Sequence, residues 1–251
     1  MPSPCSLPAK AAITARTAEL TVDPKTVVLA KKVEVGSSAP TPTAGLVPGT
    51  ATYKGSLSVQ GQTIPMDVTR TVKDTAGSWV VNEATAMPMM TGSDEATIDK
   101  GTLQLRKRVI HQGPAAVEVA FADNKATGKM TMNGQERPIA ADLGGALFAD
   151  GAGASDVVAA LPLADGYTTS YRNFDVMAQK VKLRQLKVAG SEKVTVPAGA
   201  FYAWKVEITP ADGGSGESMT LWVDKASRQV VKMSTVIPAM NGAIATAELV
   251  K

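Results

Sequence analysis

Apolar and polar side chains alternate along residues 50–60, which read Thr-Ala-Thr-Tyr-Lys-Gly-Ser-Leu-Ser-Val-Gln. The apolar members of this stretch are Ala51, Tyr53, Leu57 and Val59. They follow the period of about two residues that is typical of a β-strand, rather than the period of about 3.6 residues of a helix. The stretch therefore predicts a β-strand with one buried side and one side facing solvent.

The same alternation recurs along the rest of the chain, with turns between the runs. It is clearest at residues 66–72, 103–109, 117–121, 202–208 and 219–223. Asn133-Gly134 supplies two residues that tolerate positive φ, as a type I′ hairpin turn requires. Residues 219–223 are expected to pair with residues 231–233 across the turn at 224–228. Strands at this spacing predict a mainly all-β fold built as an antiparallel meander.

One segment breaks the alternation and predicts a single short helix. Residues 157–161 form an apolar run that ends at Pro162, because proline cannot continue a helix. Ser155 is a good N-cap for this run, and Asp156 suits the positive end of a helix.

Composition excludes several classes of protein. Charged residues are 20% and hydrophobic residues 44% of the chain, which excludes wholesale disorder. A formal net charge of +3 is too small to indicate nucleic-acid binding, and no apolar run approaches the roughly 18 residues of a membrane span. A single cysteine excludes an internal disulfide and any multi-cysteine metal site. We expect no metal and no other cofactor.

Candidate catalytic residues are few. His111 is the only histidine and lies at the end of a predicted strand, which favours an ordinary strand residue over a base or ligand. Residues 214–218 miss the Gly-x-Ser-x-Gly pattern of serine hydrolases. The spacing of Asp94, Glu95 and Asp99 does not match a calcium loop and indicates a solvated acidic loop. We assign no catalytic or metal-binding residue.

The chain divides by composition into two parts. Residues 1–48 are interpreted as an N-terminal strand-like segment that ends in a Pro/Thr-rich linker, and residues 49–251 as the antiparallel β-domain. Residues 1–10 lack an apolar core, so we expect no intact signal peptide in this chain.

Methionines and tryptophans provide the remaining signal. Met87-Pro88-Met89-Met90 is a compact apolar cluster, and methionine adapts to varied apolar surfaces. Such residues serve either core packing or a groove for a hydrophobic ligand. The groove candidates are Trp79, Met87, Met89, Met90, Trp204 and Trp222. Trp204 and Trp222 are also expected to fill the core between sheet and helix.

The C-terminal half carries a set of strand and turn motifs. These are Val194-Thr195-Val196-Pro197-Ala198-Gly199-Ala200-Phe201, Ala203-Trp204-Lys205-Val206-Glu207, Thr220-Leu221-Trp222-Val223-Asp224 and Val230-Val231-Lys232. They resemble a bacterial family of exported β-domains, domain of unknown function 3108. The resemblance implies an extracytoplasmic location, periplasmic or secreted, and a broad, curved sheet similar to the half-barrels of periplasmic lipoprotein carriers. It supplies no catalytic residue.

Three functions follow as hypotheses. The first is a non-catalytic extracytoplasmic domain that binds a lipid-like or other hydrophobic small molecule, or a protein partner. The second is an accessory C-terminal module of a larger secreted hydrolase or peptidase, which the distinct N-terminal segment suggests. The third is a hydrolase with an atypical site that includes His111 or a lysine-activated serine.

Overall fold

The computed structural model describes residues 38–214 and 216–251. This part of the chain contains fourteen strands, one short α-helix and a 3-10 turn at Pro238–Met240. The first strands are β1 (Gly49–Val59), β2 (Gln62–Thr75), β3 (Ser78–Met87), β4 (Met90–Asp99), β5 (Leu105–Gln112), β6 (Ala115–Ala122), β7 (Lys125–Met132) and β8 (Gln135–Asp142). The helix α1 (Ala154–Ala159) follows, and then β9 (Thr168–Asp175), β10 (Lys180–Val196), β11 (Gly199–Pro210), β12 (Ser218–Asp224), β13 (Val230–Ile237) and β14 (Ala243–Leu249).

All of these strands join one antiparallel sheet. Its order is β8-β7-β6-β5-β4-β3-β2-β1-β14-β13-β12-β11-β10-β9. Apart from β8 and β9, consecutive strands pair with each other, and the pairing of β1 with β14 joins the two halves. The predicted all-β antiparallel meander with one short helix is therefore confirmed.

The sheet is strongly curved. Phe121 in β6 and Phe174 in β9 are far apart in strand order, yet their ring centroids are 6.2 Å apart. The side-chain amide of Gln179, between β9 and β10, donates a hydrogen bond of 3.1 Å to the carbonyl oxygen of Pro138 in β8. Curvature alone brings these strands together, because β8 and β9 do not pair in the sheet.

The main hydrophobic core fills part of the space that the curved sheet encloses, and α1 lies within it. Val157, Val158 and Leu161 are each 1% exposed or less and pack against residues from both halves of the sheet. Full burial of such a side chain contributes about 1.5–3 kcal/mol. The apolar run that predicted the helix therefore also fixes the helix inside the sheet.

The helix begins differently from the sequence-based expectation. Gly153 is the N-cap, with φ of 77° and no side-chain cap. A Cβ at this position would lie 2.9 Å from Cγ2 of Val81, so the site requires glycine. Ser155 lies inside the helix, and its hydroxyl accepts a hydrogen bond of 2.6 Å from Nη1 of Arg70. The prediction that Ser155 is the N-cap is wrong, because the left-handed turn at Gly153 starts the helix earlier.

The C-terminal end of α1 is held by two other segments. Nη1 of Arg228 donates hydrogen bonds to the carbonyl oxygens of Ala159 (3.0 Å) and Leu161 (2.7 Å), which suits the negative end of a helix. The backbone N–H of Thr43 donates to the carbonyl oxygen of Ala160 at 2.8 Å. Residues near Thr43 therefore lie against the helix end. The strand-like pieces and the absence of a signal peptide, both inferred for residues 1–37, lie outside the described residues.

Several local predictions can be compared directly with the structure. Asn133 and Gly134 have φ of 50° and 77°, which agrees with the predicted turn between β7 and β8. The β12–β13 hairpin forms with Leu221 opposite Met233. The acidic residues at 94–99 belong to strand β4 rather than to a loop, so that interpretation is wrong. The reason is that Asp94 faces inward to meet Arg108.

Candidate functional site

A cleft of about 610 Å³ opens into the concave interior of the sheet beside α1. One wall comes from β3–β6 and the other from β9–β13, while α1 and residues 149–151 close one end. Its volume lies within the range of about 300–1,000 Å³ that is typical of small-molecule sites. This cleft is the candidate site.

A second depression, of about 530 Å³, lies over β5–β8. Its rim includes two surface ion pairs, Lys107 with Glu118 and Lys129 with Glu136. These four side chains are already paired and about half exposed, so the depression offers no converging unpaired groups for a ligand. The enclosed cleft is the stronger candidate.

Methionine dominates the apolar part of the cleft. Five of the eleven methionines line it, namely Met87, Met90, Met177, Met219 and Met233. Ile110, Val117, Ile208 and Leu221 extend the same apolar surface. We call these nine residues the methionine wall. Since methionine side chains are flexible and polarisable, the wall suits an apolar ligand whose shape is not fixed.

The sequence-based groove candidates are only partly brought together. Met87 and Met90 line the cleft. Met89 is 97% exposed in the turn between β3 and β4, outside the cleft. Trp79 is buried in the main core, where its Nε1 has no hydrogen-bond partner among the described residues.

Trp204 and Trp222 lie elsewhere on the sheet. Trp204 is partly buried against the main core, with the guanidinium of Arg228 5.6 Å from its ring centroid. Trp222 packs against a second, smaller core cluster around Tyr53, and its Nε1 donates a hydrogen bond of 2.5 Å to Glu192. The expectation that both tryptophans fill the space between sheet and helix is therefore wrong for Trp222.

A buried ionic cluster anchors the closed end of the cleft. Nε of Arg70, a residue only 3% exposed, lies 3.2 Å from Oδ2 of Asp156 in α1. Nη2 of Arg70 donates a hydrogen bond to the hydroxyl of Tyr53, and that hydroxyl donates to the carbonyl oxygen of Val230 at 3.0 Å. Arg70 thus ties β2 to the helix and, through Tyr53, to β13.

The charged and polar groups in this cluster shift one another's pKa values. Burial raises the pKa of Asp156, and the neighbouring Arg70 opposes that effect. Burial would by itself lower the pKa of Arg70, but Asp156 and Tyr53 raise it above its ordinary value. Burial also raises the pKa of Tyr53 to about 12, so its phenol stays protonated at neutral pH. Arg70 therefore remains a cation that its neighbours hold in place.

A second ion cluster lies along the cleft. Nη2 of Arg108 is 2.7 Å from Asp94, and its Nη1 is 3.4 Å from Asp150. The other carboxylate oxygen of Asp150 accepts a hydrogen bond of 2.8 Å from the backbone N–H of Phe174. Burial raises the pKa of Asp150, although Arg108 partly offsets it. This cluster links β4 and β5 to β9 across the interior.

Arg184 is the exception among the cleft cations. It is 7% exposed, and within the described part of the chain its side chain forms no hydrogen bond and no ion pair. None of its nitrogens is both sealed from solvent and unpaired, so the guanidinium remains accessible from the cleft. Lys182, two residues earlier in β10, is already paired with Asp175 at 2.6 Å. Arg184 therefore offers unused donors within the site.

A known protein family matches most of the chain. Residues 50–250 match the family described as "Protein of unknown function (DUF3108)". The chain belongs to this family. The match covers the whole described sheet apart from its first residue, so the DUF3108 resemblance inferred from the C-terminal motifs is confirmed and extends across both halves.

Two solved structures resemble this DUF3108 protein. One is a putative exported protein with a YmcC-like fold from Bacteroides fragilis, 12% identical, with a TM-score of 0.30, covering 84% of this chain and 98% of that chain. The other is a DUF1329 family protein from Desulfovibrio piger, 10% identical, with a TM-score of 0.27, covering 80% of this chain and 82% of that chain. Similarities this weak do not bear on what the cleft binds. No curated protein matches the sequence significantly.

The sequence contained a signal for two of the buried arginines. Arg70 shares the strand parity of Val68 and Val72, and Arg184 shares that of Leu186 and Val188, so each interrupts an apolar side with a charge. Charged residues at such positions require a partner or a ligand. The sequence contained no such signal for Arg108, because its inward orientation depends on a register shift between Thr97 and Ile98 in the pairing of β4 with β5.

Among residues 38–214 and 216–251, no group of three or more metal-ligating side chains is gathered in one place. None of the helices in this part of the chain has the length and apolar character needed to cross a membrane.

Proposed function

We propose that this DUF3108 protein is a non-catalytic binding domain whose cleft holds a lipid-like small molecule. The observation that carries the proposal is the methionine wall, nine apolar side chains that line a cleft of about 610 Å³. Met90 is 37% and Met177 is 54% exposed at the wall. Exposure of these apolar side chains to water is unfavourable, and a bound apolar ligand would cover them. Location outside the cytoplasm is part of the proposal, since the family resemblance of the C-terminal motifs implies it.

The size of the expected effect follows from apolar transfer. Each buried methylene contributes about 0.8 kcal/mol, so a twelve-carbon chain offers about 9 kcal/mol. Association costs about 4 kcal/mol or more. The balance of about 5 kcal/mol or less supports a dissociation constant of about 0.2 mM or weaker without any polar anchor.

An uncharged fluorescent probe tests the proposal. Thr85 lines the cleft on β3 between Glu83 and Met87, and its neighbour Ala86 is exposed. We expect 1-N-phenylnaphthylamine to bind the protein saturably and Thr85→Trp to weaken that binding at least about tenfold, because the indole occupies the cleft. The readout is the rise in probe fluorescence during titration.

Ala86→Trp is the matched control, since it adds the same indole on the same strand outside the cleft. It should leave the affinity for the probe unchanged. Equal loss of binding in both variants, or no saturable binding by the parent protein, would contradict the proposal.

A further inference from the structure

Arg184 is a buried cation for which the described residues provide no counter-charge in contact. The other cleft cations are neutralised, Arg108 by Asp94 and Asp150, and Lys182 by Asp175. Keeping a guanidinium largely out of bulk water without a partner is unfavourable. An anion that enters the cleft and pairs with Arg184 would remove that cost.

A second donor lies next to Arg184. Tyr171 is its directly opposed partner in the pairing of β9 with β10, and both residues line the cleft. Cross-strand partners on the same face have their Cβ atoms about 4.5–5.5 Å apart, so both side chains reach one small group. Burial raises the pKa of Tyr171 above its ordinary value, and the phenol therefore stays protonated and able to donate.

The surrounding acids limit the charge of the anion. Asp150 and Glu217 lie close enough to Tyr171 to affect its titration, and Glu217 also lines the cleft. A dianion would be repelled by these carboxylates, whereas a single carboxylate matches the single free guanidinium and its two-pronged geometry.

We propose that Arg184 and Tyr171 bind the carboxylate of a fatty-acid-like ligand whose aliphatic chain lies on the methionine wall. This inference rests on the proposed function and adds the headgroup. The wall supplies apolar contact along β11–β13 through Ile208, Leu221 and Met233, and β10 carries Arg184 beside β11 in the sheet. Chain and headgroup sites are thus continuous.

Displacement of 1-N-phenylnaphthylamine by three ligands of equal chain length provides the test. These are dodecanoate, methyl dodecanoate and dodecyl phosphate. We expect dodecanoate to bind the parent protein at least about tenfold more tightly than the ester, because a charge-assisted hydrogen-bond pair is lost in the ester. Arg184→Gln should remove about 10–100-fold of the affinity for dodecanoate and change the affinities for the ester and the probe by clearly smaller factors.

Two further variants control for structural effects. Tyr171→Phe should weaken dodecanoate binding by a smaller factor, and Lys187→Gln should have no effect, since Lys187 is an exposed cation of the same strand outside the cleft. Arg184→Gln should unfold at the same temperature as the parent protein or higher, because it removes an unpaired buried charge.

The outcomes separate the headgroup from the function. Probe and ester binding with equal dodecanoate affinity in the parent and Arg184→Gln proteins would overturn the headgroup inference and leave the proposed function intact. Tighter, Arg184-dependent binding of dodecyl phosphate than of dodecanoate would overturn the assignment of a carboxylate. Failure of the probe and all three ligands to bind the parent protein would overturn both.

Discussion

Arg70→Met is expected to lower the free energy of unfolding by about 3–5 kcal/mol. The substitution leaves the Asp156 carboxylate facing the interior without its cation and removes a donor from the Tyr53 hydroxyl and from Ser155. Breaking a buried ion pair from one side costs this much because the remaining charge is uncompensated. Denaturant unfolding followed by circular dichroism measures the loss.

The double variant Arg70→Met with Asp156→Leu is the control for this prediction. Removing both partners leaves no stranded charge, so we expect the double variant to be more stable than Arg70→Met alone. A double variant as unstable as the single one would show that the ion pair is not what holds α1.

The loss in Arg70→Met should also depend on pH. Burial raises the pKa of Asp156 above its ordinary value of 3.8, and without Arg70 only a hydrogen bond from its own backbone N–H still opposes that rise. A carboxyl with a raised pKa binds more protons when folded than when unfolded, so stability falls as the pH rises through the folded value. The destabilisation should therefore shrink as the pH is lowered toward 3.8.

Gly55→Ala is expected to destabilise the fold by about 3 kcal/mol. Gly55 lies in β1 opposite Ala247 of β14, where the two halves of the sheet join. A Cβ at Gly55 would overlap the carbonyl oxygen of Thr246 and lie 2.9 Å from Cα of Ala247, so the backbones must separate. Thermal unfolding measures the effect.

Gly101→Ala is the matched control, because the nearest atom of the described residues to its added Cβ is a carboxylate oxygen of Asp99 at 3.6 Å. It should change stability by less than about 0.5 kcal/mol. If Gly55→Ala were as stable as Gly101→Ala, the close approach of β1 and β14 would be refuted.

The fold class was accessible from sequence because period-two patterning is local. The alternation within each strand indicates which side is buried, and a turn sequence such as Asn133-Gly134 indicates positive φ values by itself. Curvature is not local. The contact between Phe121 and Phe174 depends on twist accumulated over many strands, and nothing in either residue's surroundings encodes it.

The site was harder to predict than the fold for the same reason. Met87 and Met90 stood out as a cluster in sequence, whereas Met219 and Met233 join them only when the sheet curls. Trp79 resembled a groove residue by type but packs in the main hydrophobic core. Arg184 was hidden because a strand's polar residues are normally assigned to solvent, although its parity with Leu186 placed it inside.

Identification of the molecule bound to the protein after export tests the central claim most directly. Native mass spectrometry of protein produced with its natural export, followed by solvent extraction and lipid analysis, reports what occupies the cleft. We expect a stoichiometric added mass that extraction identifies as a molecule with an aliphatic chain and that Thr85→Trp lacks. A mass equal to that of the polypeptide alone, with no lipid in the extract, would contradict the account.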